Sequence, residues 1–153
     1  MRALLQRVSS ASVTVDGQVT GACGFGFLIL LGVGPDDDEQ QAIRLWDKIK
    51  KLRVFDDGDG KMNRSILDVG GSVLVISQFT LYADCRKGNR PSFTKAAPPE
   101  LGNRLYERFC ELANADVPCG RGIFGAEMQV ALVNDGPVTI WLDTDELSQP
   151  RRG

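Results

Sequence analysis

Ser77, Gln78 and Thr80 place two hydroxyls and an amide directly after the apolar run Val73-Leu74-Val75-Ile76. A polar cluster at the end of a rigid strand is a place where a reacting group can be held. A hydroxyl nucleophile needs a base, and the chain contains no histidine. Ser-His-Asp, Cys-His and histidine acid–base chemistry are therefore excluded together. A hydrolase built on this segment has to find its proton acceptor elsewhere. The alternative is that Ser77, Gln78 and Thr80 only satisfy hydrogen bonds at a strand end.

The second segment is Asn134-Asp135-Gly136-Pro137-Val138-Thr139. Asn-Asp-Gly is turn chemistry, so a plain hairpin is one reading. Pro137 directly after Gly136 gives a second one. Proline fixes φ, lacks an N–H and makes a cis peptide accessible. A Gly-Pro pair can thus aim two adjacent carbonyls one way and read a ligand with backbone alone. The third segment, Lys87-Gly88-Asn89-Arg90-Pro91-Ser92-Phe93, is either a phosphate-facing loop or an ordinary surface loop.

The net charge is −2, so a nucleic-acid partner needs a local basic patch. Lys48, Lys50, Lys51 and Arg53 form one candidate, and Arg86, Lys87 and Arg90 another. Each is either a phosphate track or a solvated face. Cys23, Cys85, Cys110 and Cys119 form no C-x-x-C pair and are expected to stay reduced. No metal site and no cofactor are expected. Asp56 to Lys61 lacks calcium-loop spacing and reads as a surface turn. Met1 to Leu5 is too short and charged for a secretory segment, and Phe25 to Val33 cannot span a bilayer. A cytoplasmic protein with no membrane partner is expected.

The positioning elements follow from periodicity. Ala3 to Val8, Ala11 to Val15 and Gln18 to Cys23 read as strands, with Asp16-Gly17 as a hairpin turn. Phe25 to Val33 is a continuous apolar run, so a strand buried on both faces. Acidic residues at 36–39 open a helix whose face carries Ile43, Leu45, Trp46, Ile49 and Leu52. Ser72 to Leu81 reads as a second buried strand. Pro98-Pro99 opens a second helix with Leu101, Leu105, Phe109 and Leu112 on its apolar face. Gly120 to Phe124, Met128 to Val133 and Val138 to Leu142 read as three more strands. The expectation is a single α+β domain over residues 1–147, with two helices and a mainly antiparallel, curved or barrel-like sheet. Residues 148–153 read as a disordered tail.

Ser77-Gln78-Phe79-Thr80-Leu81 and Asn134-Asp135-Gly136-Pro137-Val138-Thr139 resemble the two signature motifs of the D-aminoacyl-tRNA deacylases. Gly88-Asn89-Arg90-Pro91-Ser92-Phe93, Phe124-Gly125-Ala126-x-Met128 and the start Met1-Arg2-Ala3-Leu4-Leu5-Gln6-Arg7-Val8 are similar to that family too. The resemblance runs in order over about residues 1 to 145. It implies hydrolysis of the ester joining a D-amino acid, or glycine mischarged on tRNA-Ala, to the 3′ end of tRNA, as a proofreading step. It implies a homodimer in which a cis Gly136-Pro137 reaches into the other subunit's pocket and rejects L-aminoacyl substrates. Catalysis would lean on the ribose 2′-hydroxyl and water, with amides near Phe79 and Thr80 stabilising an oxyanion and Ser77 and Gln78 positioning groups. Thr80 as nucleophile ranks second. Arg7 would hold the Gly-Pro carbonyls. Phe124 and Met128 either contact the terminal adenine or belong to the core. The basic patches would meet acceptor-stem phosphates. Two other classes remain open: a non-catalytic tRNA- or nucleotide-binding module, and a structural dimer whose Gly-Pro element is only an interface.

Overall fold

The computed structural model describes residues 1–151. Its first element, β1 (Arg2–Val15), is one long strand where two were expected. The alternation of its buried side chains Ala3, Leu5 and Arg7 is interrupted by buried Val8 and resumes at Ala11 and Val13. The reason is a pair of register shifts around Val8, which re-phase the strand without ending it. Asp16 and Gly17 take φ of 49° and 77°, the left-handed geometry of a two-residue hairpin. The returning chain forms β2 (Gln18–Cys23) and then β3 (Gly26–Gly32), both antiparallel to β1.

The helix α1 (Glu39–Lys51) starts on Asp38, whose side chain and that of Gln41 close a capping box. Its buried face is Ala42, Leu45, Trp46 and Ile49, while the expected face residue Ile43 is 39% exposed. The i, i+3 run misleads because three residues turn a helix about 300°, about 60° short of a circle, so the run drifts off the buried face. A small hairpin of β4 (Phe55–Asp56) and β5 (Met62–Arg64) follows, then a single turn of helix, α2 (Ile66–Val69). The turn between β4 and β5 is the expected surface turn, organised by the Asp57 carboxylate, which accepts from the amides of Asp59 and Lys61.

β6 (Ser72–Ser77) ends four residues earlier than expected, because Phe79–Tyr82 winds into a 3-10 turn. The helix α3 (Pro99–Asp116) leads to β7 (Cys119–Arg121). The last strand, β8 (Gln129–Asp143), is again one element where two were expected. It pairs with β1 on both sides of Gly136-Pro137, so that pair is not a hairpin tip. The one-turn helix α4 (Thr144–Leu147) closes the fold. Of the segment expected to be a disordered tail, Ser148 bonds back to Asp145 and Thr144, and residues 152–153 lie outside the described residues.

β1 pairs antiparallel with β2, β3 and β8, while β3–β6 and β6–β7 are parallel through the crossovers α1 and α3. The sheet curls almost shut. A Cβ on Gly21 would come within 2.2 Å of the Arg121 carbonyl oxygen, and one on Gly120 within 2.5 Å of the Ala22 oxygen. Only glycine lets β2 and β7 approach that closely. α1 and α3 lie against each other on one face, where Trp46 meets Phe109 edge-on at 5.9 Å.

The apolar run of β3 is now explained. Phe27, Ile29 and Leu31 pack with Val73 and Val75 in the core cluster that takes in α1 and α3, while Leu28 joins Val8, Val13, Leu74 and Ile76 in a second cluster. Cys23, Cys85, Cys110 and Cys119 are all free thiols. Burial pushes the Cys23 thiol up to about 11, which keeps it protonated. No helix among the described residues is long and apolar enough to cross a membrane.

Candidate active site

The site begins where β6 stops. Ser77 pairs with Leu31 at the end of the parallel β3–β6 ladder, and the Gln78 amide donates to the Leu31 carbonyl at 2.8 Å. The chain then turns through Phe79–Tyr82. The opening amides of such a turn have no acceptor within it, so Phe79 and Thr80 carry donors that a ligand can use. Arg2 ties the far end of the turn to the sheet. It donates to the Leu81 carbonyl at 2.9 Å and to Asp143 at 3.1 Å, and its guanidinium lies 4.3 Å from the Tyr82 ring centroid. Nothing in the sequence singled out Arg2, because its partners come from two distant segments.

Ser77, Gln78, Phe79, Phe124 and Met128 share one cleft of about 590 Å³. Phe124 and Met128 each pack against the core with one side and wall the cleft with the other. Phe93 also lines the cleft, with its ring edge-on to Phe79 at 5.1 Å. Phe93 stands in one of the quoted motifs but was not picked out. An aromatic residue inside a polar loop was the available signal. Thr80 is not among the cleft's walls. Its hydroxyl accepts a short hydrogen bond from the Gln78 side-chain amide. An amide is no base, so this contact does not activate the hydroxyl.

Gly136 and Pro137 are not among the residues that line their own chain's cleft. Gln6 pairs with Thr139 and Val8 with Asn134, so Arg7 alone stands opposite Asp135, Gly136, Pro137 and Val138. The surplus chain bulges out of the ladder and is exposed at its crest. Asn134 staples its base: the side chain accepts from the Val138 amide at 2.8 Å and donates to the Val138 carbonyl at 3.2 Å. The Gly136-Pro137 peptide is cis, and Gly136 takes a φ of +146°.

Arg7 is buried beneath the bulge, 7% exposed. It donates to the carbonyls of Asp135 at 2.8 Å and Val54 at 2.7 Å, and meets Asp56 at 3.3 Å. The bond thus lands on Asp135, one residue before the Gly136 and Pro137 carbonyls it was expected to hold. Among the described residues no group of three or more acidic or cysteine side chains gathers as a metal site.

The sequence model described as D-Tyr-tRNA(Tyr) deacylase matches residues 4–143. The chain belongs to that family. Family membership makes it a hydrolase that acts on the ester bond of D-aminoacyl-tRNA. A D-aminoacyl-tRNA deacylase of Roseiflexus castenholzii is 60% identical, covering 99% of this chain and 97% of its own. The D-aminoacyl-tRNA deacylase of Thermomicrobium roseum is 61% identical, covering 96% of each. Among solved structures, a c-Myc DNA unwinding element binding protein aligns at a TM-score of 0.88 with 41% identity, over 94% of this chain and 98% of that one. A probable eukaryotic D-amino acid tRNA deacylase shares the fold at a TM-score of 0.78 with 16% identity, over 92% of this chain and 97% of that one. The residues of the deacylase signature therefore occupy two places on this molecule, a cleft and a bulge.

Proposed function

We propose that the chain proofreads aminoacyl-tRNA as a homodimer, cleaving D-aminoacyl esters and glycyl-tRNA formed on tRNA-Ala while sparing L-aminoacyl esters. The 3′ adenosine sits in the cleft against Phe124 and Met128. The Gly136-Pro137 bulge of a second copy occupies the space an L side chain needs. A D side chain points elsewhere, and glycine has none, so both escape. A translation substrate places the protein in the cytoplasm.

The observation that carries this reading is the bulge itself. It is stapled by Asn134, held from below by Arg7, exposed at its crest, and not part of the lining of its own cleft. A second copy supplies what one chain separates. An edge strand supports the pairing of copies: β8 meets β1 on one side and, among the described residues, no strand on the other. Val133 and Trp141 on β8 are 57% and 42% exposed, apolar surface that a second copy could cover.

In the reaction, the amides of Phe79 and Thr80 stabilise the oxyanion formed at the ester carbonyl. Water attacks, and the substrate's own 2′-hydroxyl assists by moving the proton that no histidine is present to move. Ser77 and Gln78 position these groups. Gln78 donating to Thr80 supports this order over attack by the Thr80 hydroxyl.

A matched assay with D- and L-tyrosyl-tRNA tests the whole reading. The D ester is cleaved and the L ester survives; a protein that cleaves neither is a binding module. Thr80→Ala is expected to keep the rate within about threefold, whereas loss of a nucleophile costs about 10⁴-fold or more. A terminal 2′-deoxyadenosine is expected to slow cleavage by about 100-fold or more, the scale of one lost transition-state contact. Full-rate cleavage of the deoxy substrate would remove the 2′-hydroxyl from the mechanism.

A further inference from the structure

Between the 3-10 turn and α3, the segment Asp84–Lys95 is exposed over most of its length yet has a defined shape. Asp84 and Ser92 form an isolated antiparallel bridge, with N–H to carbonyl bonds of 2.7 and 2.9 Å in the two directions. The Asp84 carboxylate also gathers the loop around itself. It accepts from the Arg86 backbone amide at 3.1 Å and from the Arg86 guanidinium at 2.8 and 2.7 Å, and lies 3.5 Å from Lys95 Nζ. The Arg86 bonds hold this carboxyl well below the usual carboxylate range, so the latch stays ionised. At its root, the Ala97 amide donates to the Val33 carbonyl at 2.9 Å.

The loop is an arm with two sides. Ser92 lines a shallow hollow with Asp84, Arg86 and Lys87, while the next residue, Phe93, lines the cleft. Successive residues of an extended segment point to opposite sides, so the two hollows lie back to back across one strand of the arm. The arm carries four cations against one carboxylate, a net of +3 on a chain whose total is −2. Arg86 and Lys95 are turned onto Asp84. Lys87 and Arg90 are exposed and have no acidic partner within ion-pair distance among the described residues.

The other basic patch is different. On α1, Lys50 pairs with Asp47 and Asp116, Lys51 pairs with Asp47, and Arg53 donates to the Asn63 carbonyl. Lys48 has no ion pair among the described residues, and what sets this patch apart is that none of its residues lines the cleft, whereas Phe93 of the arm does.

We propose that the Asp84–Lys95 arm is the surface along which the single-stranded 3′ end of the tRNA leaves the cleft, with Lys87 and Arg90 on its phosphates and Asp84 holding the arm in shape. This rests on the cleft being the seat of the terminal adenosine. Phosphate contacts release counterions, so each one steepens the salt dependence of binding by about 0.7 in log–log slope for a single strand.

The test measures KM and kcat for D-tyrosyl-tRNA across a salt series, in the unaltered chain and in Lys87→Gln/Arg90→Gln. The double variant is expected to raise KM about tenfold at low salt and to flatten the slope by about 1.4, two contacts' worth, with kcat unchanged. Unchanged KM and slope overturn the proposal. So does a matching loss in Lys48→Gln/Lys51→Gln, which would put the phosphates on α1. Asp84→Asn is expected to raise KM severalfold; a wild-type KM overturns the latch. A melting temperature equal to wild type in the double variant shows that the effect is on binding. If the unaltered chain leaves D-tyrosyl-tRNA intact, the proofreading reading fails, which is a different outcome from a deacylase that ignores the arm.

Discussion

Arg7→Ala is expected to lower stability by about 3 kcal/mol and to relax the rejection of L-aminoacyl esters, the stability loss following from the unpaired carbonyls of Asp135 and Val54. The side chain is 7% exposed, so water does not replace it at once, and a space the size of a guanidinium remains. Each buried acceptor left without a donor costs about 1–3 kcal/mol, so the two carbonyls alone account for the estimate. The Asp56 and Asp135 carboxylates add little, because they are 54% and 49% exposed and solvent screens them. The functional loss has a separate cause: the bulge loses its tether from below. Arg7→Lys is not expected to rescue either property, since one ammonium cannot serve carbonyls on two separate segments as a planar fork does. Urea unfolding, with the midpoint lowered and the slope kept, checks the first effect. A midpoint within error of wild type, together with full rejection of the L ester, would refute the tether.

The second large effect is on discrimination. Gly136→Ala is expected to reduce the ratio of D- to L-tyrosyl-tRNA cleavage by about 100-fold, the equivalent of about 2.7 kcal/mol. Gly136 sits at φ +146°, where an L residue is strained. An added Cβ would also stand 2.8 Å from Val138 Cγ2, 3.0 Å from the Val138 nitrogen and 3.2 Å from Arg7 Nη2. The bulge is exposed, so it can relieve the clash by shifting. The fold then survives while the two carbonyls move off the line they are proposed to hold. Melting temperature should therefore change by only a few degrees, the size of about 1 kcal/mol in a domain of this length. An unaltered D-to-L ratio would show that the bulge does not read chirality, and would leave the homodimer to be explained as an interface alone.

These two variants separate the roles that one motif combines. Arg7 acts on whether the bulge is held; Gly136 acts on where its crest points. The Phe79 and Thr80 amides and the arm residues act elsewhere, on the rate and on tRNA binding respectively. A sedimentation or scattering measurement of the unaltered chain bears on all of them. A strictly monomeric enzyme with full chiral discrimination would be incompatible with a gate supplied by a second copy.

Much of this protein was determined by the sequence alone. The absence of histidine excluded the common hydrolytic machineries before any fold was considered. Alternation and turn residues placed the β1–β2 hairpin at Asp16-Gly17, and the uninterrupted apolar run Phe27 to Leu31 marked the central strand, because burial on both faces leaves no polar position. The two motifs at 77–81 and 134–139 pointed to the family, and the family comparison agrees. Local signals failed where a long-range partner decided the outcome. β1 and β8 continue through their interruptions because each is held by the other across the ladder, and such pairing has no short-range signature. Ser77 ends its strand, and Phe79 turns away, because β3 stops being available as a neighbour. The cis state of Gly136-Pro137 was open, since X-Pro pairs populate both forms. That Arg7 stands alone beneath four residues of β8, and that the resulting bulge is left out of its own cleft, follows only from residues 128 positions apart meeting in space. Tertiary structure made that choice, because only the register of one strand on another can leave three surplus residues standing out of a sheet.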